Sequence, residues 1–96
     1  MKLLEVKKST KKDKKYMAVF EKEDGKQKIT HFGSAGMDDY TITKNKEQRE
    51  RYRTRHKKDL ETNDPTRAGY LSMYLLWGDS TSLKQNIKDY KKRFNL

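Results

Sequence analysis

The sequence predicts an α+β fold in which a small three-stranded antiparallel sheet is followed by three helices. The first half of the chain has short runs of β-forming residues around Asp24-Gly25, a pair typical of tight hairpins because both residues tolerate positive φ angles. The second half instead has apolar residues at helical spacing. The 96 residues contain no internal repeat, so we expect one domain, 1–96, with a β-rich half at 1–44 and a helical half at 45–96.

The three predicted strands cover residues 2–6, 16–22 and 27–32, and the last two flank the Asp24-Gly25 turn. The middle strand carries apolar side chains on both faces, with Tyr16, Ala18 and Phe20 on one and Met17 and Val19 on the other. We therefore expect neighbours on both sides of it. Residues 7–15 hold six lysines and no apolar side chain, which indicates a solvated loop.

The first predicted helix, from Asn45 to about Glu61, contains no Gly or Pro and is highly polar. Tyr52, His56 and Leu60 recur at every fourth position and form one narrow stripe along it. We expect this stripe to be the buried face.

The second helix is apolar nearly all round at residues 68–77 and should be the most buried element. Asp64 and Pro65 fit its N-cap and first turn, and Gly78 fits a left-handed residue at its end. Its dense aromatic side chains favour core packing over base stacking. The third helix is expected to begin at Ser82, which has capping-box spacing with a later Gln. One of its faces should be buried, through Leu83, Ile87, Tyr90 and Phe94.

The amino-acid composition excludes several classes of protein and favours an anionic partner. The chain has 24 Lys plus Arg and 14 Asp plus Glu, giving a net charge of +10, so anionic partners are attracted over about 8 Å at physiological salt. It has no Cys, which excludes disulfides and thiolate metal ligands. No apolar run approaches the roughly 18 residues that span a bilayer, and the lysine-rich start lacks a signal-peptide core. We expect no membrane partner, and a protein that stays inside the cell that makes it or enters a particle assembled there.

Positive charge is concentrated in the first helix, where eight of the fifteen residues at 44–58 are Lys or Arg. At 100° per residue, most of these cations form two rows beside the apolar stripe. The first row is Lys46, Arg49, Arg53 and Lys57, and the second row is Arg51, Arg55 and Lys58. If the stripe packs against the rest of the fold, both rows should remain exposed, and the planar fork of arginine pairs well with phosphate.

We hypothesise that these seven residues contact a nucleic-acid backbone, assisted by the loop lysines Lys11, Lys12, Lys14 and Lys15. If about five phosphates are engaged, log affinity for duplex DNA should fall with log salt with a slope of about −4 to −5. Two other interpretations use the same helix residues: a solvated face that only confers solubility, and a docking surface for an acidic protein. The loop lysines also fit a disordered segment without a binding role.

No catalytic residue, cofactor or metal site is predicted. The sequence GSAG at 33–36 fits neither the P-loop nor the dinucleotide pattern, so we interpret it as a tight turn. His31 and His56, with Asp38 and Asp39, are the only set that could form a hydrolytic or metal site. Neither histidine has another at ligand spacing, so hydrogen-bonded structural roles are favoured. We expect no carboxylate cluster near the basic helix, as a metal-dependent nuclease would need.

Several short motifs carry a resemblance to a known family: Phe32-Gly33, Asp39-Tyr40-Thr41, Tyr52, Arg55-His56, Ala68-Gly69 and Leu75-Leu76-Trp77. In these the chain resembles a family of small basic proteins of unknown function encoded by nucleocytoplasmic large DNA viruses. The likeness runs from about Tyr16 to Phe94. It implies a viral protein, packaged in the virion or associated with the viral factory, and it brings no catalytic residues. For His56 we favour a structural bond under the turn at 33–36, and for Arg55 an anion contact remains open.

The leading expectation is therefore a non-enzymatic viral nucleic-acid-binding protein with little sequence preference, and DNA is favoured over RNA. The alternative is a minor capsid or cement protein, which would use the basic surface against acidic viral proteins and the apolar helix as an anchor. Self-association stays open. Either protein would be intracellular in the host, in the viral factory, cytoplasm or nucleus, and in the virion.

Overall fold

The computed structural model describes residues 1–96 and contains the three predicted strands. They are β1 Lys2–Lys8, β2 Lys14–Glu21 and β3 Gln27–Ser34. The strands are antiparallel and lie in the order β1-β2-β3. The middle position of β2 explains its two apolar faces, because side chains on both are enclosed by neighbouring strands and by the core. The α+β fold class, a three-stranded antiparallel sheet followed by helices, is confirmed.

The hairpin at Asp24-Gly25 forms as predicted. The Lys22 backbone N–H donates to the carbonyl of Lys26 at 2.8 Å, and Gly25 has a φ of +83°, which glycine adopts without steric cost. The Asp24 carboxylate accepts the Lys26 N–H at 3.0 Å. The turn residues therefore set the register of β2 and β3.

The lysine-rich segment at 7–15 forms the β1–β2 hairpin, which is the first hairpin of the chain. Residues 9–13 are a loop, as predicted, but residues 7, 8, 14 and 15 lie in the strands, which corrects the prediction there. The Ser9 N–H donates to the carbonyl of Lys15 at 3.1 Å, and the Ala35 N–H donates to the carbonyl of Asp13 at 3.0 Å. The Ser9 hydroxyl is 2.7 Å from Nδ1 of His31 on β3. Pairing with β2 satisfies the backbone of this polar segment, and backbone pairing leaves no signal in side-chain hydrophobicity.

Five helices follow the sheet: α1 Tyr40–Thr43, α2 Lys46–Arg55, a 3₁₀ helix Lys57–Thr62, α3 Ala68–Leu71 continued by a π-helical turn Ser72–Leu76, and α4 Leu83–Arg93. The three predicted helices correspond to α2, to α3 with its π-helical turn, and to α4. Asn45 and Ser82 cap α2 and α4, each through a side-chain oxygen that accepts an N–H in the first turn. None of the helices is long and apolar enough to cross a membrane.

Three predicted helix ends are corrected. α2 stops at Arg55, and the chain tightens into the 3₁₀ helix, so it does not continue to Glu61. The second helix begins at Ala68 rather than at Pro65. The Asp64 carboxylate accepts a hydrogen bond from the N–H of Thr66, and this bond closes a turn before the helix starts.

The third correction concerns Gly78, which is not left-handed. A Cβ at this position would lie 2.1 Å from the backbone oxygen of Tyr74. Only glycine fits here, because the backbone at Gly78 lies so close to the backbone of Tyr74. The two approach each other where the chain leaves the π-helical turn.

The core lies between one face of the sheet and the helices. Its buried members are Leu3, Ala18, Phe20, Phe32, Tyr40, Tyr70, Leu71, Leu75, Leu76, Trp77 and Tyr90. Leu71 and Leu75 are completely buried, which confirms that the apolar helix is central. The predicted inner face of α4 is also confirmed, because Tyr90 is buried and Leu83, Ile87 and Phe94 pack against the core.

Replacing Gly78 by alanine should destabilise the protein by about 3 kcal/mol, since the new methyl group meets backbone that cannot move aside like a side-chain end. Gly36→Ala is the matched control. Gly36 has a φ of +79° but nothing within 4 Å of its added Cβ, so it pays only the backbone penalty of about 1–2 kcal/mol. Urea denaturation measures both, and equal losses in the two variants would contradict the close-approach explanation.

Candidate functional site: a cleft beside the basic helix

A cleft of about 580 Å³ opens between the β3–α1 turn, α2 and the helix that begins at Ala68. Lys14 and Lys15 from β2 line it together with Arg55 and His56 from the end of α2. Its volume is typical of sites that hold a small ligand. The two basic segments of the sequence, which are far apart along the chain, therefore meet at one place.

The turn at Gly33–Gly36 forms one wall of the cleft. Gly33 and Gly36 have φ values of +78° and +79°, which confirms the interpretation of GSAG as a tight turn. A Cβ on Gly33 would lie 2.7 Å from Cδ1 of Leu76 in the buried helix. Glycine thus lets the end of β3 lie directly on the core, and the chain then turns back to place Asp38 and Asp39 in the cleft.

A buried ion pair lies at the inner end of this wall. Nζ of Lys15 is 2.6 Å from Oδ2 of Asp39, and the two side chains are 13% and 2% exposed. The other carboxylate oxygen of Asp39 accepts hydrogen bonds from the N–H and the hydroxyl of Thr41 and caps α1. Lys15, predicted to contact phosphate, is therefore occupied inside the fold, since a buried carboxylate needs its partner.

Three stacked rings form the opposite wall. The ring of Tyr52 lies 4.4 Å from that of Trp77 and 4.1 Å from that of His56, centroid to centroid, with interplanar angles of 9° and 21°. Two rings at these distances cannot share one face of Tyr52, so the three form a column. Trp77 is buried in the core, as predicted, while the His56 side chain is 41% exposed. Burial raises the pKa of Tyr52 above its usual range, so its phenol stays neutral.

His56 bonds to Asp59, with Nδ1 and Oδ2 3.1 Å apart, so the prediction of a bond under the turn at 33–36 is wrong. The hydrogen-bonded role predicted for both histidines is confirmed, because His31 bonds to Ser9. His31 does not line the cleft. No group of three or more His, Cys, Asp or Glu side chains is placed to hold a metal ion.

Carboxylates do lie beside the basic helix, contrary to expectation. Asp38, Asp39 and Asp59 all line the cleft that Arg55 lines. The Asp39 carboxylate is paired with Lys15, and the Asp59 carboxylate bonds to the His56 ring. Asp38 is exposed and has no cationic partner within 4.0 Å. Sequence reasoning named Asp38 and Asp39 but not their place beside α2, which depends on the turn at 33–36, and it missed Asp59, which lies on the 3₁₀ helix after α2.

The first row of cations on α2 is not fully exposed, which corrects the prediction that both rows are. Nε of Arg49 donates to the carbonyl of Gly78 at 2.7 Å, and its Nη2 lies 2.8 Å from Oδ1 of Asp79. Nη1 of Arg53 donates to the carbonyls of Met73 and Trp77 at 3.0 and 2.9 Å. Both guanidinium groups therefore satisfy backbone at the end of the buried helix, where free carbonyls accumulate.

The other eight predicted contact residues carry no ion pair. None of them lies within 4.0 Å of a carboxylate: Lys11, Lys12, Lys14, Lys46, Arg51, Arg55, Lys57 and Lys58. All are exposed except Lys14, which is half-buried at the cleft. The second row is thus free of ion pairs, although its member Lys58 lies on the 3₁₀ helix rather than on α2. Its member Arg55 lines the cleft.

A protein family, described as a family of unknown function (DUF5754), matches residues 4–56, more than half of the chain. The chain belongs to DUF5754. No match was found among curated proteins or among solved structures. The DUF5754 segment contains α1, α2 and all of the sheet except Lys2 and Leu3, and hence the Lys14 and Arg55 sides of the cleft. In this DUF5754 protein the remaining wall comes from residues 68–77, beyond the matched segment.

Replacing Arg53 by methionine should cost about 1–3 kcal/mol of stability, because the carbonyls of Met73 and Trp77 lose their donor while the side-chain bulk is kept. Arg51→Met is the matched control: it removes an exposed guanidinium from the same helix and should change stability by about 0.5 kcal/mol or less. Chemical denaturation of both variants checks this. Equal stability of the two would show that the Arg53 contacts do not hold α2 in place.

Proposed function

We propose that this protein is a non-enzymatic nucleic-acid-binding protein that contacts the phosphate backbone with little sequence preference. One observation carries the proposal: Lys14 of the first hairpin and Arg55 of α2 line the same cleft. The hairpin lysines and the second row of α2 are therefore parts of one basic surface rather than two separate charged segments.

Most of these cations lack a carboxylate partner, which supports a role in binding. Nine of the eleven predicted contact residues have no carboxylate partner within 4.0 Å, and of these nine only Arg53 is bound inside the fold, by two backbone carbonyls. The positive charge of the other eight is therefore not paired with carboxylates. Unpaired surface cations attract polyanions and release the counterions of bound nucleic acid. Arg51 and Arg55 are one helical turn apart on the exposed face, and each can grip a phosphate with two N–H groups.

Backbone contacts of this kind carry no base information, which is the reason for proposing little sequence preference. DNA is proposed ahead of RNA as the partner, as the sequence led us to expect. The proposal includes no catalytic step, as the sequence led us to expect.

A viral origin of this protein belongs to the same proposal. It is supported by the motifs on which the resemblance to proteins of nucleocytoplasmic large DNA viruses rests, among them Gly33, Tyr52 and His56. The intracellular host locations named above, and the virion, follow as proposed sites of action.

The second candidate function is a minor capsid or cement protein of such a virus. It is favoured by exposed apolar side chains that a protein partner would cover, since Met37 and Ile42 are 64% and 58% exposed. Nuclease treatment of virions would separate the two functions: a shell protein stays with the particle, and a genome-bound protein is released with the nucleic acid.

A salt titration tests the leading proposal. Affinity for a short duplex DNA should fall with salt with a log–log slope of about −4 to −5 when about five phosphates are engaged. The double variant Lys14→Gln, Arg55→Gln should reduce the slope by about 2, because two phosphate contacts are lost. The control Lys88→Gln, Lys92→Gln removes two exposed α4 lysines that do not line the cleft and should leave the slope unchanged.

Single-stranded DNA, RNA and an acidic polypeptide are measured in parallel at each salt concentration. No binding at low salt, or a slope near zero, would overturn the proposal. Tighter binding to the acidic polypeptide than to any nucleic acid would do the same in favour of a protein partner.

Removing the unpaired acid of the cleft should strengthen binding. Asp38→Asn takes away a negative charge beside Lys14 and Arg55, and one exposed charge is worth about 0.5–1 kcal/mol, or roughly 2–5-fold in affinity. Asp24→Asn, at the tip of the other hairpin and outside the cleft, is the matched control and should change affinity less. Fluorescence anisotropy with labelled DNA measures both, and an equal gain in the two variants would place the binding surface elsewhere.

A further inference from the structure

We propose that the cleft accepts an unpaired nucleobase, which stacks on His56 at the end of the ring column, so that the protein prefers single-stranded nucleic acid to duplex. This inference rests on the proposed nucleic-acid-binding function and adds to it the strand state of the ligand.

The column provides a stacking surface fixed to the core. Trp77 is buried, Tyr52 lies between the two other rings, and His56 is the last ring, with its side chain 41% exposed in the cleft wall. A nucleobase stacked on His56 would extend this series by one ring. Unpaired bases stack in this way on aromatic side chains, histidine included, in single-strand-binding proteins.

His56 is held in place before any ligand arrives. Its backbone N–H donates to the carbonyl of Tyr52 at 3.0 Å at the end of α2, and Nδ1 bonds to Asp59. The Nδ1 bond and the stacking on Tyr52 hold the imidazole ring in this orientation. A base can therefore stack without ordering a mobile side chain, which lowers the entropic cost of binding.

Other residues that line the cleft are suited to contact the phosphates and the base of a nucleotide. Lys14 and Arg55 are the two cations of the cleft without an acidic partner, and they can pair with the phosphates on either side of the base. Met37, 64% exposed, also lines the cleft and offers a thioether for contact with an aromatic ring. The cleft volume of about 580 Å³ lies within the range of small-ligand sites.

A paired base cannot use this surface. In a duplex both faces of a base are covered by its neighbours, and extruding it costs a few kcal/mol of unstacking and unpairing. Backbone contacts to Arg51 and Lys58, by contrast, are open to either form. The cleft therefore adds affinity for single strands on top of charge contacts that both forms share.

The experiment uses the full chain and a short single-stranded DNA that carries one 2-aminopurine, with the matching duplex measured at the same salt. Stacking quenches 2-aminopurine, so its fluorescence should fall on binding, and the single strand should bind about 10-fold more tightly than the duplex, within the range for one stacked base. His56→Ser should lose both the quenching and the preference, and His56→Phe, which keeps a ring, should retain them. Circular dichroism verifies that each variant is folded.

Two results would overturn the inference. If the wild-type protein binds the strand with a normal salt slope but without quenching and no more tightly than duplex, base stacking is wrong and the backbone-binding function stands. If it binds neither form at low salt, the proposed function itself fails, and this inference fails with it. The wild-type fluorescence decides between these results even if His56→Ser does not fold.

Discussion

The contact of Arg49 and Arg53 with the end of the buried helix is the interaction on which the arrangement of the molecule depends. α2 has almost no apolar surface and buries none of its residues completely, so the hydrophobic effect alone would not hold it against the core. Its guanidinium groups instead bind carbonyl oxygens left without partners where the buried helix ends. This anchoring places Tyr52 on Trp77 and so creates one wall of the cleft.

How far the sequence predicts the fold depends on the range of the interactions involved. The Asp24-Gly25 hairpin, the Ser82 cap and the inner face of α4 were predictable because they rest on contacts between near neighbours in the chain. The ends of α2 and of the buried helix were not, since the bond from Asp64 to Thr66 and the approach of Gly78 to Tyr74 compete with ordinary helix signals. Hairpin pairing of the lysine-rich segment was hidden because edge strands tolerate polar side chains on both faces.

For the candidate site, the sequence identified the cations but not which of them remain available. Helical spacing placed Arg49 and Arg53 beside the apolar stripe, and that same position brings them within reach of the helix end. Lys15 was taken for a surface lysine because its partner Asp39 is distant in sequence. A hint was present: Asp39 stands directly before Tyr40-Thr41, as a helix cap would. The cleft itself could not be predicted, because it is made by three segments whose relative positions depend on long-range packing.

The strand order has a consequence for the lysines of the first hairpin. β1 is an edge strand, and its outer backbone groups have no partner within the sheet. Such an edge invites a strand from another molecule, and charged side chains, lysine above all, discourage this pairing. Lys2, Lys7 and Lys8 are exposed along β1, so part of the chain's high lysine content disfavours strand pairing along this edge.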